Sequence, residues 1–188
     1  MAAKRIKYWA TEKPTQVIET SLHPEKIGVW VGITRKKIYG PIFFTDTVTS
    51  KEYIKIIDQF IETIDEEILI DGYFQQDAAP AHTSRETAYH SRTYFHDRII
   101  GKSNKYLETE IDYPPRSPHL TSPDFFLWGY LKYKVYLNNP KSIDELKTNI
   151  ETEIKNITPK MLENVSNNML KRVKLCIENG GKHFEQLL

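Results

Sequence analysis

At 188 residues and 39% hydrophobic, the chain is long enough to bury one substantial core, and its length calls for no second domain. Its 26 basic and 25 acidic residues leave a net charge of +1, which excludes the broad basic surplus of a self-sufficient nucleic-acid binder. The lone cysteine, Cys176, excludes an internal disulfide framework and a cysteine-built zinc site. No apolar run reaches the roughly 18 residues of a membrane helix, and the N-terminus is polar rather than signal-like, so an intracellular protein with one domain over residues 1–188 is expected.

Residues 29–44, VWVGITRKKIYGPIFF, place β-branched and aromatic residues on both sides of a polar turn at 34–37, which predicts a hairpin. Thr49 and Glu52 then form a capping box, and Tyr53, Ile57, Phe60 and Ile64 recur at helical spacing, predicting a helix over about 50–65. The run ILIDGYFQQDAAPAH reads as a buried strand that turns polar at Gln75 and is stopped by Ala-Ala-Pro, so Asp77 is expected at or just past the strand's C-terminal end. Thr83 and Glu86 form a second capping box, opening a helix that extends to about Ile99. Leu107, Ile111 and Tyr113 suggest a short strand running into the YPPRSP turn.

In Ser122-Pro123-Asp124 the order is N-cap, proline at the first helical position, then an acid in the first turn. Asp124 is therefore expected at a helix N-terminus. Pro140 closes that helix, Ser142 and Glu145 cap another, and Thr158-Pro159 open a last one that runs to Asn179-Gly180-Gly181. The order of hairpin, helix, strand, helix, strand and helices predicts an α/β arrangement with helices covering a mixed sheet and a helical C-terminal third.

Two carboxylates carry the candidate chemistry. Asp77 and Asp124 are separated by 46 residues in the chain, yet one follows a strand and the other opens a helix, so both can converge at one sheet edge. Two bare carboxylates about 4 Å apart repel by roughly 4 kcal/mol at an effective dielectric of 20, a penalty that a divalent cation removes. Such an all-oxygen site suits Mg²⁺ or Mn²⁺. With two metals it activates a water or hydroxyl and stabilises the leaving oxygen of a phosphodiester. Taken alone, each residue has a plainer reading: Asp124 complements the helix macrodipole, Asp77 is a turn acid, His82 is a loop histidine and Arg116 a solvated cation between prolines.

The wording around the two acids is specific. FQQDAAPAHTS at 74–84 and PPRSPHLTSPDFFLWGYLK at 114–132 resemble the two signature segments of mariner-type DDE/D transposases, and the hairpin ending YGPIFF resembles the strands that precede them. The resemblance runs from about Tyr8 to Leu188. It implies an RNase H-like domain that cuts DNA at transposon ends and joins them to a target, using three carboxylates and two divalent metals, Mg²⁺ or Mn²⁺. Asp77 then matches the second carboxylate and Asp124 the third, with His82 and Arg116 as candidate nucleic-acid contacts. The partners implied are transposon-end and target DNA and a second copy of the chain, in the nucleus.

The chain departs from the family pattern in four places. The family's first carboxylate lies on a strand upstream of the hairpin, whereas residues 1–28 contain no Asp; Glu12, Glu19 and Glu25 are the acids there, none within a strand-like apolar run. His119 stands where the family's SPDL carries Asp, and the 46-residue spacing is longer than is typical of the mariner branch. The family's helix-turn-helix domain has no counterpart in these residues. By resemblance the first strand is the centre of a five-stranded sheet, between the hairpin and the Asp77 strand. Without it both neighbours would leave backbone groups unpaired, at about 1–3 kcal/mol for each buried group. The alternation of Ile6, Tyr8 and Ala10 with Lys7 and Trp9 makes residues 5–10 the segment expected to supply strand pairing. The reading is thus a transposase-derived domain that lacks strand transfer by itself. The alternative is a non-catalytic nucleic-acid-binding or protein-interaction module, with Lys132, Lys134, Lys171, Arg172 and Lys174 as candidate basic patches.

Overall fold

The structure, a computed structural model, describes residues 27–106, 109, 111–114, 117–182, 184 and 186. Strands β1 (Gly28–Ile33) and β2 (Ile38–Phe44) form the expected antiparallel hairpin. The turn is closed by Thr34, whose hydroxyl donates to the Lys37 carbonyl while its backbone N–H does the same at 2.9 Å. Register along the hairpin runs from Trp30↔Ile42 to Gly32↔Tyr39, so β2 carries one extra residue opposite Val31, a β-bulge. Its consequence is geometric. Strand side chains alternate between faces, and the bulge lets Tyr39 and Ile42 share one face while Ile38 and Phe43 share the other.

Both faces of the hairpin are covered. Val29, Val31, Ile33, Ile38 and Phe43 pack against Leu127, Leu131, Val135, Ile150, Ile154 and Leu162, which come from α4 (Trp128–Lys134), the turns flanking it, α5 (Ile143–Lys155) and α6 (Pro159–Glu178). On the opposite face, Trp30, Tyr39 and Ile42 meet Phe60, Phe74, Ala88, Phe95 and Ile99. Each fully buried aliphatic or aromatic side chain contributes roughly 1.5–3 kcal/mol from area removed from water. Phe60 connects the second layer: its ring centroid lies 5.1 Å from Trp30, 5.5 Å from Tyr39 and 6.0 Å from Phe74.

Helix α1 (Ser50–Ile61) begins where the capping box predicts, with the Thr49 side chain accepting from the Glu52 N–H. It ends four residues earlier than expected, because Asp65 holds extended dihedrals and opens a separate short helix, α2 (Glu66–Asp71). Two acids in the first turn of α2 suit the positive end of its dipole. The expected buried strand therefore contracts to β3 (Phe74–Gln75), since Ile68, Leu69 and Ile70 are helical. Arg98 fixes this break by donating to the carbonyls of Leu69 at 3.0 Å and Gly72 at 2.6 Å.

Helix α3 (Arg85–Phe95) is capped by Ser84, which accepts from the Thr87 N–H, one residue beyond the expected Thr83 cap. It stops before Ile99, which instead starts β4 (Ile99–Gly101). Strands β3, β4 and β5 (Ile111–Asp112) form a parallel sheet in that order. Among the described residues the hairpin and this parallel sheet are separate two- and three-stranded pieces. The pairing expected from residues 5–10 falls outside the described residues. The C-terminal third is helical as expected, with Ser142 and Thr158 capping α5 and α6. No helix among the described residues is long and apolar enough to cross a membrane.

Candidate metal and nucleic-acid site

Asp77 stands just past the end of β3, as its sequence context predicts. The strand is registered by the Phe74 N–H to the Arg98 carbonyl and the Gln76 N–H to the Ile100 carbonyl. Immediately after it, Asp77 Oδ1 accepts from the Ala79 N–H at 3.0 Å, an aspartate turn of the kind that side-chain carboxylates form two residues on. His82 and Thr83 N–H groups then bond the Ala79 carbonyl, and the Thr87 hydroxyl donates to the Ala81 carbonyl at 2.7 Å. The loop from Asp77 to α3 is thereby fixed by its own backbone.

His82 folds back over this loop, its Nδ1 2.6 Å from Asp77 Oδ1. Nδ1 is buried, so its close approach to Asp77 is sheltered from solvent. The imidazole at this position holds the Asp77 carboxyl below the usual carboxylate range, burial opposes the shift, and the Ala79 N–H reinforces it. Beneath the loop, the His82 ring lies tilted over Tyr53 with centroids 4.1 Å apart, and the Tyr53 hydroxyl donates to Gln76 Oε1. Burial pushes the Tyr53 phenol upward, with the charge of Asp77 adding to the shift and a hydrogen bond from Trp30 opposing it.

Asp124 sits in the first turn of a helical segment, but the turn and its cap differ from expectation. Pro123–Leu127 is a π-helical turn, in which the Trp128 N–H reaches the Pro123 carbonyl. Single π turns of this kind recur at functional sites. Ser122 already has helical dihedrals and makes no side-chain cap bond. Thr121 takes that role: it is extended, its carbonyl accepts from the N–H groups of Asp124 and Phe125, and its hydroxyl lies between the Pro118 carbonyl and Asp124 Oδ2. The signal was present in the sequence as Thr121-x-x-Asp124, a spacing that lets a hydroxyl cap meet the third residue on. Leu127, fully buried, anchors the turn in the core.

Two side chains tie the acids' supports together. Gln75 Nε2 donates to the Leu120 carbonyl at 2.7 Å, fastening β3 to the 3-10 turn Pro118–Leu120 that precedes Thr121. Tyr113 is buried between them and donates to the Ser117 carbonyl. Its phenol is pushed up to about 12, first by burial, with a Thr121 hydrogen bond opposing and the charges of Asp124 and Asp77 both raising it. The Gln75 bond thus links the segment that carries Asp77 to the turn that leads into Asp124. Sequence reading missed Gln75, Tyr113 and Thr121, because each acts through a partner distant in the chain or through a backbone atom.

The donor set is two carboxylates. His82 and Ala79 both meet Oδ1 of Asp77, and Thr121 meets Oδ2 of Asp124, so among the described residues each acid keeps one oxygen without a hydrogen bond. Hard oxygen donors of this kind fit Mg²⁺ or Mn²⁺. Among the described residues no group of three His, Cys, Asp or Glu side chains gathers. Of the two candidate nucleic-acid contacts, His82 joins the site and Arg116 lies outside the described residues. Arg172, read as one of several patch cations, instead packs over the Phe125 ring at 4.3 Å and bonds the Asn168 side chain at 2.6 Å.

No family model matches the sequence, and no curated protein matches it. Solved structures do. The Mos1 strand transfer complex aligns with a TM-score of 0.69 at 16% identity, over 97% of this chain and 51% of that one. The catalytic domain of Mos1 mariner transposase aligns with a TM-score of 0.67 at 16% identity, over 89% and 80%. The Mos1 transposase catalytic domain with Raltegravir and Mg gives 0.67 at 16% identity, over 82% and 75%. The chain spans about half the length of the Mos1 protein in the strand transfer complex. Hairpin, parallel strands and C-terminal helices together therefore form a mixed α/β fold that matches the solved catalytic domain of Mos1 mariner transposase.

Proposed function

We propose that this chain is a transposase-derived domain in which Asp77 and Asp124 hold a divalent cation, Mg²⁺ or Mn²⁺, against a DNA phosphodiester. The observation that carries the reading is the Gln75 bond that joins the two segments supporting these carboxylates, with Asp77 just past β3 and Asp124 in the first turn of the π segment. The cation, when bound, would neutralise the facing carboxylates and polarise a phosphoryl oxygen. The chain's own residues set the geometry. Thr121 orients Asp124, the Ala79 N–H and His82 orient Asp77, and the remaining oxygen of each acid is directed to the ligand. DNA is the partner, consistent with the Mos1 paired-end complexes of the same fold, one of them with Mn and another with a left transposon end. A homodimer acting in the nucleus belongs to the same reading.

Residues 1–28 contain no Asp, so two carboxylates define the site proposed here. Weak binding of one ion and no strand transfer are expected from these 188 residues alone. Manganese titration followed by electron paramagnetic resonance tests the assignment: binding should be lost in Asp77→Asn and in Asp124→Asn. Mn²⁺ binding unchanged in both variants would overturn it. Mn²⁺-dependent cleavage of a transposon-end oligonucleotide, abolished by Asp77→Asn, would show an active nuclease instead. A second reading, a metal-independent DNA-binding module, is favoured by the exposed Lys132, Lys171 and Lys174. Salt-dependent duplex binding indifferent to Mg²⁺ would select it.

A further inference from the structure

On the far side of the loop that carries Asp77 into α3, a groove of about 590 Å³ opens between α3 and the segment after β4, lined by Tyr89, Arg92, Ser103, Asn104, Lys105 and Tyr106. Its walls are built rather than incidental. Asn104 Nδ2 donates to the Thr83 carbonyl at 3.0 Å, its Oδ1 accepts from the Tyr106 N–H at 2.8 Å, and the Ser103 and Thr109 hydroxyls meet at 2.6 Å. Thr83 belongs to the same loop as Asp77 and His82, so Asn104 ties the groove to the loop that carries the first carboxylate.

The groove combines cations with aromatic rings. The Arg85 guanidinium lies 5.5 Å from the Tyr89 ring centroid and the Lys105 ammonium 4.7 Å from that of Tyr106, both within cation–π range. Tyr89 is 56% exposed, so a ring held by Arg85 leaves most of its surface in solvent. Arg85 and Lys105 meet no carboxylate among the described residues. Arg92 pairs with Asp97 at 3.2 Å, but this pair is solvated and worth little to the fold, which leaves Arg92 available to a phosphate. An exposed tyrosine, Tyr89, beside the cations Arg85, Arg92 and Lys105 is the combination that holds single-stranded nucleic acid, where bases stack on rings and phosphates meet cations.

We propose that this groove binds a single-stranded DNA flank leaving the Asp77/Asp124 site, with a base stacked on Tyr89 and phosphates held by Arg85, Arg92 and Lys105. The proposal rests on the preceding reading only in taking DNA as the partner. An unpaired base is required because a duplex keeps its base faces stacked inside the helix and offers none to Tyr89.

The test is fluorescence anisotropy of a labelled oligothymidine with the whole chain, in chelator so that no divalent ion is present. Tyr89→Ala should weaken binding roughly five- to 150-fold, and Tyr89→Phe should retain it. Arg85→Gln and Lys105→Gln should each lower the slope of log affinity against log salt by about 0.7. Because the measurement is made in chelator, oligothymidine binding is read without any contribution from the metal site, so failure of the metal site and failure of the groove are separately visible. Oligothymidine affinity unaltered by Tyr89→Ala, or duplex bound as tightly as single strand, would overturn the proposal.

Discussion

His82 lies against Asp77 at the carboxylate site, with Nδ1 2.6 Å from Oδ1 and the imidazole tilted over the Tyr53 ring. Because the carboxyl is held below its ordinary range, its folded pKa is lower than its unfolded one. The linked stability is therefore present above the ordinary Asp value and is lost as pH falls through the lower folded value. His82→Ala should move the Asp77 titration upward, read as the pH dependence of its carboxyl carbon resonance. In denaturant titrations, the stability difference between wild type and Asp77→Asn should shrink as the medium is acidified below the carboxylate range. An Asp77 resonance that titrates identically with and without His82 would rule out the imidazole as the cause.

Thr121 holds the other carboxylate. Its hydroxyl contacts Asp124 Oδ2 and its carbonyl accepts from the Asp124 and Phe125 N–H groups. Thr121→Ala keeps the carbonyl and removes the hydroxyl that donates to the Pro118 carbonyl and Asp124 Oδ2, so a loss of about 1 kcal/mol is expected, the usual net worth of such a bond. Thr121→Ser should restore most of it. Urea midpoints of the three proteins decide this, and Mn²⁺ affinity measured alongside should fall in Thr121→Ala and recover in Thr121→Ser.

The elements legible in the sequence are those whose determinants are local. The hairpin follows from alternation around Thr34 and Lys37, and α1, α5 and α6 begin at the hydroxyl caps Thr49, Ser142 and Thr158. Asp77 and Asp124 stand out in the sequence because their flanking words are distinctive. What could not be read depended on distant partners. Ile68 and Leu69 look like strand residues, yet they are helical, and Arg98, nearly thirty residues away, binds the end of that helix. The choice of Thr121 over Ser122 as cap goes with a π turn, whose wider spacing no apolar periodicity announces.

Phe60 is expected to be the most sensitive position in the layer behind the site. It is 5% exposed, and its ring contacts Trp30 and Tyr39 of the hairpin side as well as Phe74 of the parallel sheet. Phe60→Ala should cost about 3–5 kcal/mol through lost burial and the cavity left behind. Phe60→Leu, which retains much of the volume, should cost markedly less. Equal urea midpoints for Phe60→Ala and wild type would mean that the two sheet pieces are held together by other contacts.

Gln75 separates stability from site geometry. The strand ladder at β3 runs through the backbone N–H groups of Phe74 and Gln76, so Gln75→Ala leaves that ladder intact. What it removes is the 2.7 Å side-chain bond to the Leu120 carbonyl. The expected stability loss is about 1 kcal/mol, the usual net worth of one such bond. The two carboxylates, however, lose the side-chain tie between their supporting segments, and a divalent cation needs both at once. Mn²⁺ affinity should therefore fall several-fold in Gln75→Ala while the far-ultraviolet circular dichroism stays that of the folded chain. A variant that keeps wild-type Mn²⁺ affinity would show that Tyr113 and the backbone alone position Asp77 against Asp124.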